Sequence, residues 1–402
     1  MARKNISELT PGMVLATDLT TPDGRRLMNA GAELTDRGIR ALAGMGVEWA
    51  EVRAEVDEAE LGRAAEWTAR FFQFVNHDDP VMNRLYALAT GRVAARLAEG
   101  WEPPDRDAAV VGDNEHLHDL FLRGDGGPET IVDHEEQIAS FPDVYFRLRE
   151  TLAKPGASAA QVAGVVAADP GLSARLLRLV NSPMYGFSSR IDRLDRAVAL
   201  VGERELTTLA VGISAMNYFQ DIPAELVDMR TFWEHSVGVA LMATLLARAS
   251  RKVPPELAFI AGLLHDVGRL LMFKKLPYNS TQALLFARAE DLPLVDAERQ
   301  IFGYDHTEVA AVLMGRWNFP GSIRRAVTGH HGPSAAKDPL AAGVIQAADV
   351  LVNGLYVARD GRFCVPPLDA GVWAGLGLPV EALDTLAEDF DRQMVELLAA
   401  FL

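Results

Sequence analysis

The chain has 402 residues, of which 49% are hydrophobic and 23% are charged, a composition typical of globular proteins with two or three domains. Acidic residues (55) outnumber basic residues (39), and the net charge of −16 disfavours nonspecific binding to nucleic acid and to anionic membranes. The single cysteine, Cys364, excludes an intrachain disulfide and favours a reducing compartment. Because the N-terminus lacks an apolar signal core and no apolar run approaches the length of a membrane span, we expect a cytoplasmic protein without nucleic-acid or membrane partners.

Residues 1–53 predict a small α+β module. Its predicted elements are a hairpin of two strands at residues 13–19 and 26–28, a helix at residues 34–45, and a last strand at residues 47–52. The Pro-Asp-Gly sequence that ends at Gly24 is typical of a tight turn, and Thr35 or Asp36 marks the start of the helix. The simplest interpretation is a packing or dimerisation module, so a homodimer is one expected assembly.

Residues 54–132 predict a helical segment followed by a linker. Apolar residues recur at helical spacing from residue 55 to residue 100, with a break at residues 76–80. Residues 101–130 are rich in Pro, Gly and charged side chains, which is typical of a linker. A short local helix is expected within it at residues 114–122.

Residues 133–350 predict a dense helical domain, and residues 351–402 a helical C-terminal extension. Ser158 and Asp305 each open a capping-box sequence, and Pro170 suits a first helical position. The predicted helices cover residues 158–168, 170–180, 192–201, 203–219, 231–250, 294–302, 322–331 and 339–353, with others that begin at Pro255 and His306. The helix from Pro255 is expected to carry His265 and Asp266.

The adjacent His265 and Asp266 interrupt an apolar run at residues 259–269. Burying an acid and an imidazole among leucines costs free energy unless each has a partner. Similar polar residues fall within helical patterns in the same half of the chain, namely His235, His306, His330, His331 and Asp349. Two interpretations stay open at this point: hydrogen-bonded core histidines, or a metal site that serves several of these side chains at once.

A set of histidines and aspartates suits borderline divalent ions such as Fe, Mn, Zn or Ni. Seven ligands could hold one or two ions, and two ions would suit phosphate ester hydrolysis. His306 lies at the positive end of its predicted helix, so we expect a neutral ring that is available as a ligand. Arg269, one turn after His265, either pairs with a phosphate or forms a surface salt bridge.

At this level of detail the sequence resembles a known family. Residues 133–350 resemble the HDOD domain, a bacterial signalling relative of the HD metal-dependent phosphohydrolases. The resemblance rests on Ala168-Asp-Pro-Gly-Leu-Ser-Ala-Arg-Leu-Leu-Arg-Leu-Val-Asn-Ser-Pro183 and residues 191–202, followed by Leu263-Leu-His-Asp-Val-Gly-Arg269 and Gly329-His-His331. Residues 6–52 more loosely resemble the small module that precedes some HD-GYP cyclic di-GMP phosphodiesterases.

The resemblance implies a mainly α HD-superfamily domain, preceded by the small α+β module and a helical linker. By motif matching, the seven polar residues correspond to the metal ligands of HD and HD-GYP proteins: His235, His265, Asp266, His306, His330, His331 and Asp349. Two features depart from the HD-GYP pattern. Gly-Pro-Ser-Ala-Ala-Lys follows His331 in place of the Asp-Gly-x-Gly-Tyr-Pro loop, and Arg269 stands where a lysine is usual.

HDOD domains are generally regarded as non-catalytic, often with eroded ligands, whereas the ligand set here is complete. We therefore expect a bacterial signal-transduction regulator that acts through a signalling protein partner or a nucleotide, with Fe, Mn or Zn bound as one or two ions. The alternative is an active HD-type phosphohydrolase on a nucleotide or cyclic dinucleotide, in which His265, Asp266 and Arg269 would carry the chemistry.

Overall fold

The structure is a computed structural model that describes residues 2–21, 26–29, 31–52, 56–103, 117–121, 124–134, 143–154, 158–182, 185–219, 222–224, 226–355 and 364–401. The chain divides into two compact units. The first comprises Met1–Phe71 and Tyr86–Asp105, and the second comprises Phe72–Leu85 and Arg106–Leu402. The predicted domain boundaries after residues 53, 132 and 350 remain predictions. Among the described residues, no helix combines the length and the apolar character that crossing a membrane requires.

The first unit begins with the predicted α+β module. Its elements are β1 (Ala2–Asn5), β2 (Leu19–Thr20), β3 (Arg26–Met28), α1 (Asp36–Gly44), β4 (Trp49–Val52), α2 (Glu58–Phe71) and the later part of α3 (Pro80–Ala98). β1 pairs antiparallel with β4, and β2 pairs antiparallel with β3. The module buries its own small core, formed by Leu9, Leu15, Leu19, Leu34, Leu42, Ala50 and Val52.

Two details of this module differ from the sequence prediction. The strand expected at residues 13–19 is reduced to β2, because Val14 and Leu15 form isolated bridges with two different partners, Glu33 and Val52, and so cannot build one ladder. β1 was not predicted, since its sequence Ala-Arg-Lys-Asn lacks a strand pattern. Helix α1 begins as expected, with the Thr35 hydroxyl accepting a hydrogen bond from the backbone N–H of Gly38 at 3.1 Å. The Pro-Asp-Gly sequence of the predicted turn, which ends at Gly24, lies outside the described residues.

The second unit is built from helices. They are α4 (Pro128–Asp133), α5 (Asp143–Ala153), α6 (Ala159–Ala167), α7 (Pro170–Val180), α8 (Leu194–Val201), α9 (Glu203–Tyr218), α10 (Met229–Ser250), α11 (Pro255–Leu263), α12 (Val267–Lys275), α13 (Pro277–Ala289), α14 (Leu294–Phe302), α15 (His306–Arg316), α16 (Gly321–Thr328), α17 (Pro339–Leu355), α18 (Val372–Leu376) and α19 (Ala382–Phe401). This architecture confirms the predicted mainly α fold.

The central helix of the second unit is α10, which is buried along most of its length and packs against α11, α17 and α19. Gly262 lets α11 approach α10 closely, because a Cβ at this position would lie 2.8 Å from Cα of Ala240. Gly268 has the same function between α12 and α15, where a Cβ would collide with the carbonyl oxygen of His306. Both glycines lie beside His265 and Asp266, so they bring the polar residues of neighbouring helices together.

Local contacts explain two helix predictions that were wrong. The described part of the helix expected at residues 114–122 is not helical. Its Asp119 carboxylate instead accepts a hydrogen bond from the backbone N–H of Tyr278 at 2.8 Å and caps α13. α8 begins at Leu194 instead of Asp192, because the Asn181 side chain bonds both the N–H and the carbonyl of Ile191, each at 2.7 Å. Those two bonds hold the chain before α8 outside the helix.

Candidate metal centre

The structure brings all seven predicted ligand residues into one cluster. His235 lies in the interior of α10, and His265 and Asp266 lie in the turn between α11 and α12. His306 is the first residue of α15, His330 and His331 lie in the turn after α16, and Asp349 lies in the interior of α17. Six of the seven are buried, with no more than 5% of each residue exposed, and His331 is half-buried. The cluster therefore lies in the core of the second unit.

His265 and Asp266 lie in a turn between two helices, and the prediction that they continue the helix from Pro255 was wrong. Nδ1 of His265 donates to the carbonyl oxygen of Gly262 at 2.8 Å. That carbonyl would otherwise accept the N–H of Asp266, so the ring ends its own helix. His330 repeats the arrangement, donating from Nδ1 to the carbonyl of Val327 at 2.7 Å, and α16 ends at Thr328, before the predicted end at His331.

These two bonds determine which nitrogen of each ring can bind a metal. A carbonyl oxygen only accepts, so Nδ1 carries the proton and Nε2 keeps a free lone pair. The Nε2 atoms of His265 and His330 are buried and have no hydrogen-bond partner among the described residues. Buried lone pairs without donors are costly in an apolar core, and ligation of a cation would satisfy them.

The spacing of the ligand atoms also suits a metal ion. Asp349 Oδ1 lies 3.0 Å from Nε2 of His235 and 3.7 Å from Nε2 of His265, and Asp266 Oδ2 lies 3.3 Å from Nε2 of His265. Donors at about 2.0 to 2.2 Å from a shared ion are separated from one another by about 3 to 3.5 Å. The residues present therefore fit a divalent metal.

The ligands form two groups that could each hold an ion: His235, His265 and Asp266, and His306, His330 and His331, with the donor atoms of each group within 4.8 Å of one another. Asp266 connects them, because its Oδ2 faces His265 while its Oδ1 lies 3.2 Å from Nε2 of His306. Nε2 of His331 is also 3.2 Å from Nε2 of His306. The geometry is thus compatible with one ion or with two ions that share Asp266.

Arg269 is buried, which contradicts the interpretation as a surface salt bridge. Only 7% of the residue is exposed. Its Nη1 donates to Asp266 Oδ2 at 2.6 Å, and its Nε donates to Glu298 Oε1 at 2.7 Å. The guanidinium is thus engaged inside the cluster by two carboxylates, an arrangement that does not favour the predicted pairing with a substrate phosphate.

Glu298 is a member of the cluster that the sequence analysis missed. It lies on α14, is 2% exposed, and its Oε2 is 2.5 Å from Nδ1 of His306. One signal was available in the sequence, because helical spacing places Glu298 on the same face as Leu294, Ala297 and Phe302. An acid among apolar residues is the same kind of signal that drew attention to Asp266 in its apolar run.

Asn353 was also missed, and it supports Asp349 from one turn further along α17. Its side-chain Nδ2 donates to Asp349 Oδ1 at 2.9 Å and to the Asp349 carbonyl at 2.8 Å. Ligating carboxylates are commonly oriented by such hydrogen bonds. The sequence signal was its spacing, four residues after Asp349 in the predicted helix.

The electrostatics of the cluster differ from one histidine to the next. Burial and the neighbouring rings of His265 and His306 lower the pKa of His330 to about 3. Burial and Arg269 also act to lower the pKa of His306, but the carboxylates of Glu298 and Asp266 outweigh them and raise it to about 9. These carboxylates oppose the helix-dipole effect on which the expectation of a neutral His306 was based, and the capping box at Asp305 is present.

The acids are strongly biased towards the charged form. Burial acts to raise the pKa of Asp266, but the positive charge of Arg269 leads the contacts that outweigh it and hold that pKa well below its usual value. The pKa of Glu298 is lowered as well, because Arg269 and His306 overcome the effect of burial. At neutral pH the cluster therefore presents ionised carboxylates beside neutral His330, which is the chemistry of a cation site.

Residues 138–333 match the family model of the HDOD domain. A crystal structure of an HDOD domain protein of unknown function from Geobacter sulfurreducens is 26% identical, with a TM-score of 0.51, over 65% of this chain and 91% of that chain. A phosphohydrolase candidate from Shewanella amazonensis SB2B is 23% identical, with a TM-score of 0.52, over 66% of this chain and 97% of that chain. At that identity the second similarity shows the fold alone.

One curated relative is an uncharacterised protein of Treponema pallidum (strain Nichols), which is 24% identical over 203 residues. The match covers 50% of this chain and 39% of the relative. The aligned region thus spans well under half of the relative's length.

Proposed function

Because residues 138–333 form an HDOD domain, we propose that this chain is a bacterial signal-transduction regulator that acts by binding a signalling protein or a nucleotide. In this proposal the domain is non-catalytic, and its cluster of five histidines and two aspartates binds a divalent metal such as Fe, Mn or Zn. A resident ion would supply the positive charge that compensates the buried carboxylates.

The non-catalytic interpretation depends mainly on the hydrogen bonds that Arg269 makes inside the cluster. Hydrolysis of a phosphoester needs cationic groups aimed at the phosphate. Among the described residues that contact the ligand cluster, Arg269 carries a permanent positive charge, and its Nε and Nη1 already donate to Glu298 and Asp266 at 2.7 and 2.6 Å. Freeing it for a substrate would remove one charged partner from each of two buried carboxylates, which is expensive.

The burial of the ligands supports the same reading. An ion held by His235, His265 and Asp349 would lie among side chains that are 5% exposed or less. A catalytic metal keeps an accessible position for substrate, whereas a structural metal is closed off by its ligands. His331, which is half-buried, is the most exposed of the seven residues.

The alternative, an active phosphohydrolase, is favoured by one specific observation. Asp266 presents its two carboxylate oxygens to two different ligand groups, at 3.3 Å from His265 and 3.2 Å from His306. A carboxylate shared between two ions is suited to a two-metal phosphoester site. In that case His331, at the exposed side, would lie nearest the substrate.

Metal content and turnover distinguish the readings. We would measure metal by plasma mass spectrometry on protein purified without chelator, comparing wild type with Asp266→Ala and with Asp296→Ala, an exposed acid on α14 as the matched control. We expect near-stoichiometric metal in the wild type and the control, and its loss in Asp266→Ala. A metal-free wild type would overturn the proposed metal site.

The same metal-loaded protein is then incubated with a panel of nucleotides, cyclic dinucleotides and simple phosphoesters. The non-catalytic reading predicts no turnover above that of Asp266→Ala. Turnover that disappears in Asp266→Ala and survives in Asp296→Ala would establish the phosphohydrolase instead.

A further inference from the structure

We propose that Glu298 is a positioning residue for the metal centre, because its one carboxylate orients His306 directly and Asp266 through Arg269. The proposal rests on the metal binding proposed above and adds a residue that lies outside the seven ligands. Each of its two carboxylate oxygens serves a different ligand.

The first oxygen acts on His306. Glu298 Oε2 lies 2.5 Å from Nδ1 of His306 and accepts from the backbone N–H of the same residue at 3.2 Å. A carboxylate that accepts at Nδ1 places the proton there and leaves Nε2 as the ligand atom. Nε2 then faces Asp266 and His331, each at 3.2 Å.

One contact competes with this assignment. Nη2 of Arg269 is 2.9 Å from Nδ1 of His306, and a guanidinium can only donate. Nδ1 cannot accept from Arg269 while it donates to Glu298. The contact with Glu298 is shorter, and an ionised carboxylate can only accept. We therefore assign the Nδ1 proton to the bond with Glu298 and treat Arg269 as a neighbour of the ring.

The second oxygen acts on Asp266 indirectly, through Arg269. Glu298 Oε1 accepts from Nε of Arg269 at 2.7 Å, and Nη1 of Arg269 donates to Asp266 Oδ2 at 2.6 Å. Because the guanidinium is planar and rigid, fixing one edge of it fixes the other. Glu298 therefore determines where Arg269 holds the carboxylate of Asp266.

The packing around these residues leaves little room for alternative arrangements. Glu298 and Arg269 are 2% and 7% exposed. The close approach at Gly268 presses α12 against the first turn of α15, so Arg269 and His306 cannot easily separate. A carboxylate on the third helix, α14, completes the contact between them.

The test is metal affinity in Glu298→Gln, which keeps the shape and removes the charge. Residues that orient metal ligands change affinity by about 10-fold to 100-fold when substituted, and we expect a loss in this range. The probe is Co²⁺, titrated with a competing chelator, and its visible absorption spectrum reports the coordination geometry. The matched control is Asp296→Asn on the same helix, whose exposed carboxylate pairs with Arg299 at 3.0 Å and which should bind Co²⁺ as the wild type does.

A double variant separates positioning from simple charge balance, and covers the case in which Glu298→Gln folds poorly. Arg269→Gln with Glu298→Gln removes both charges of the buried pair. If Glu298 positions the ligands, the double variant regains thermal stability but keeps the weakened Co²⁺ affinity and the altered spectrum.

Wild-type affinity in the double variant would overturn the positioning role, and so would wild-type affinity and an unchanged spectrum in Glu298→Gln alone. A wild-type protein that binds no Co²⁺ would instead overturn the proposed metal site itself. The two failures are thus distinguishable.

Discussion

Histidines a few ångströms apart have opposite charge preferences in this cluster. The rings of His306 and His330 are 5.6 Å apart between centroids, yet the pKa of His306 is raised to about 9 and that of His330 is lowered to about 3. The difference arises because His306 contacts two carboxylates, whereas His330 is surrounded by other rings. Since a metal ligand must be deprotonated, binding at His306 is coupled to loss of its proton.

Asn353 provides a residue-scale prediction. Asn353→Ala removes the donor that holds Asp349 Oδ1 at 2.9 Å, and we expect metal affinity to fall about 10-fold. Chelator-competition titration with Co²⁺ measures the change. The control is Gln346→Ala, a buried amide on the same helix that bonds the backbone of Asp369 instead. Equal affinity losses in the two variants would contradict a specific role for Asn353.

A second residue-scale prediction lies away from the metal centre, at Glu205 on α9. Burial raises the pKa of Glu205 to about 7, although its carboxylate accepts a hydrogen bond from the Tyr185 hydroxyl at 2.8 Å. A folded-state pKa above the unfolded value means that the folded chain holds the proton more tightly. This contribution to stability is present below pH 4.5 and is lost as the pH rises through about 7.

The variant that tests this is Glu205→Gln, which stays neutral at every pH. We expect it to be more stable than the wild type at pH 8, by about 1 to 2 kcal/mol after allowing for partial exposure, and nearly unchanged at pH 4.5. Urea unfolding at the two pH values measures the difference. Glu203→Gln, on the same helix, is the control, and a benefit of Glu205→Gln that is the same at both pH values would refute the assignment.

At the scale of elements, helix starts could be predicted better than helix ends. The capping boxes at Ser158 and Asp305 and the proline at residue 170 are local signals, and the helices begin there. The ends of α11 and α16 depend on His265 and His330 bonding carbonyls three residues back, which competes with the helical pattern. Helix α13 was not predicted at all, and its N-terminus is capped by Asp119 from a distant segment.

Gly268 provides an element-scale prediction. In Gly268→Ala the new Cβ would collide with the carbonyl of His306 and lie 2.7 Å from the backbone N of Ala310. Because these are backbone atoms, α12 and α15 must separate, and we expect a destabilisation of about 1 to 3 kcal/mol or more, with loss of metal binding. Urea unfolding and metal analysis are the measurements.

The matched control is Gly164→Ala in α6, where a Cβ meets nothing within 4 Å. An alanine at this helical position should be neutral or stabilising by up to about 1 kcal/mol. If Gly268→Ala behaved like Gly164→Ala, the close approach of α12 and α15 would not be needed for the site.

At the scale of the whole molecule, the candidate metal centre joins helices that are far apart in the sequence. The ligands span residues 235 to 349, and the helices that carry them include α10, α15 and α17. The family resemblance could predict the mainly α fold and the seven residues that cluster together from ordered motifs. It could not reveal Glu298, because the contact of α14 with His306 and Arg269 is tertiary and no short motif encodes it.

Metal removal should therefore weaken the entire second unit. The free energy of unfolding rises by about 2.7 kcal/mol when free ligand is at 100 times its dissociation constant. We expect this gain when chelator-treated wild type receives Mn²⁺ or Zn²⁺, and none for Asp266→Asn. Thermal unfolding with and without the ion is the measurement, and an equal shift in both proteins would indicate binding elsewhere.

Asp266 contacts both ligand groups, and this determines what remains when one group is lost. One carboxylate oxygen faces the His265 group and the other faces the His306 group, so each group retains its acid if the other is lost. Substitution of His306, His330 and His331 would leave His235, His265 and Asp266 as a complete group. A site that holds two ions could thus lose one ion and keep a complete group for the other.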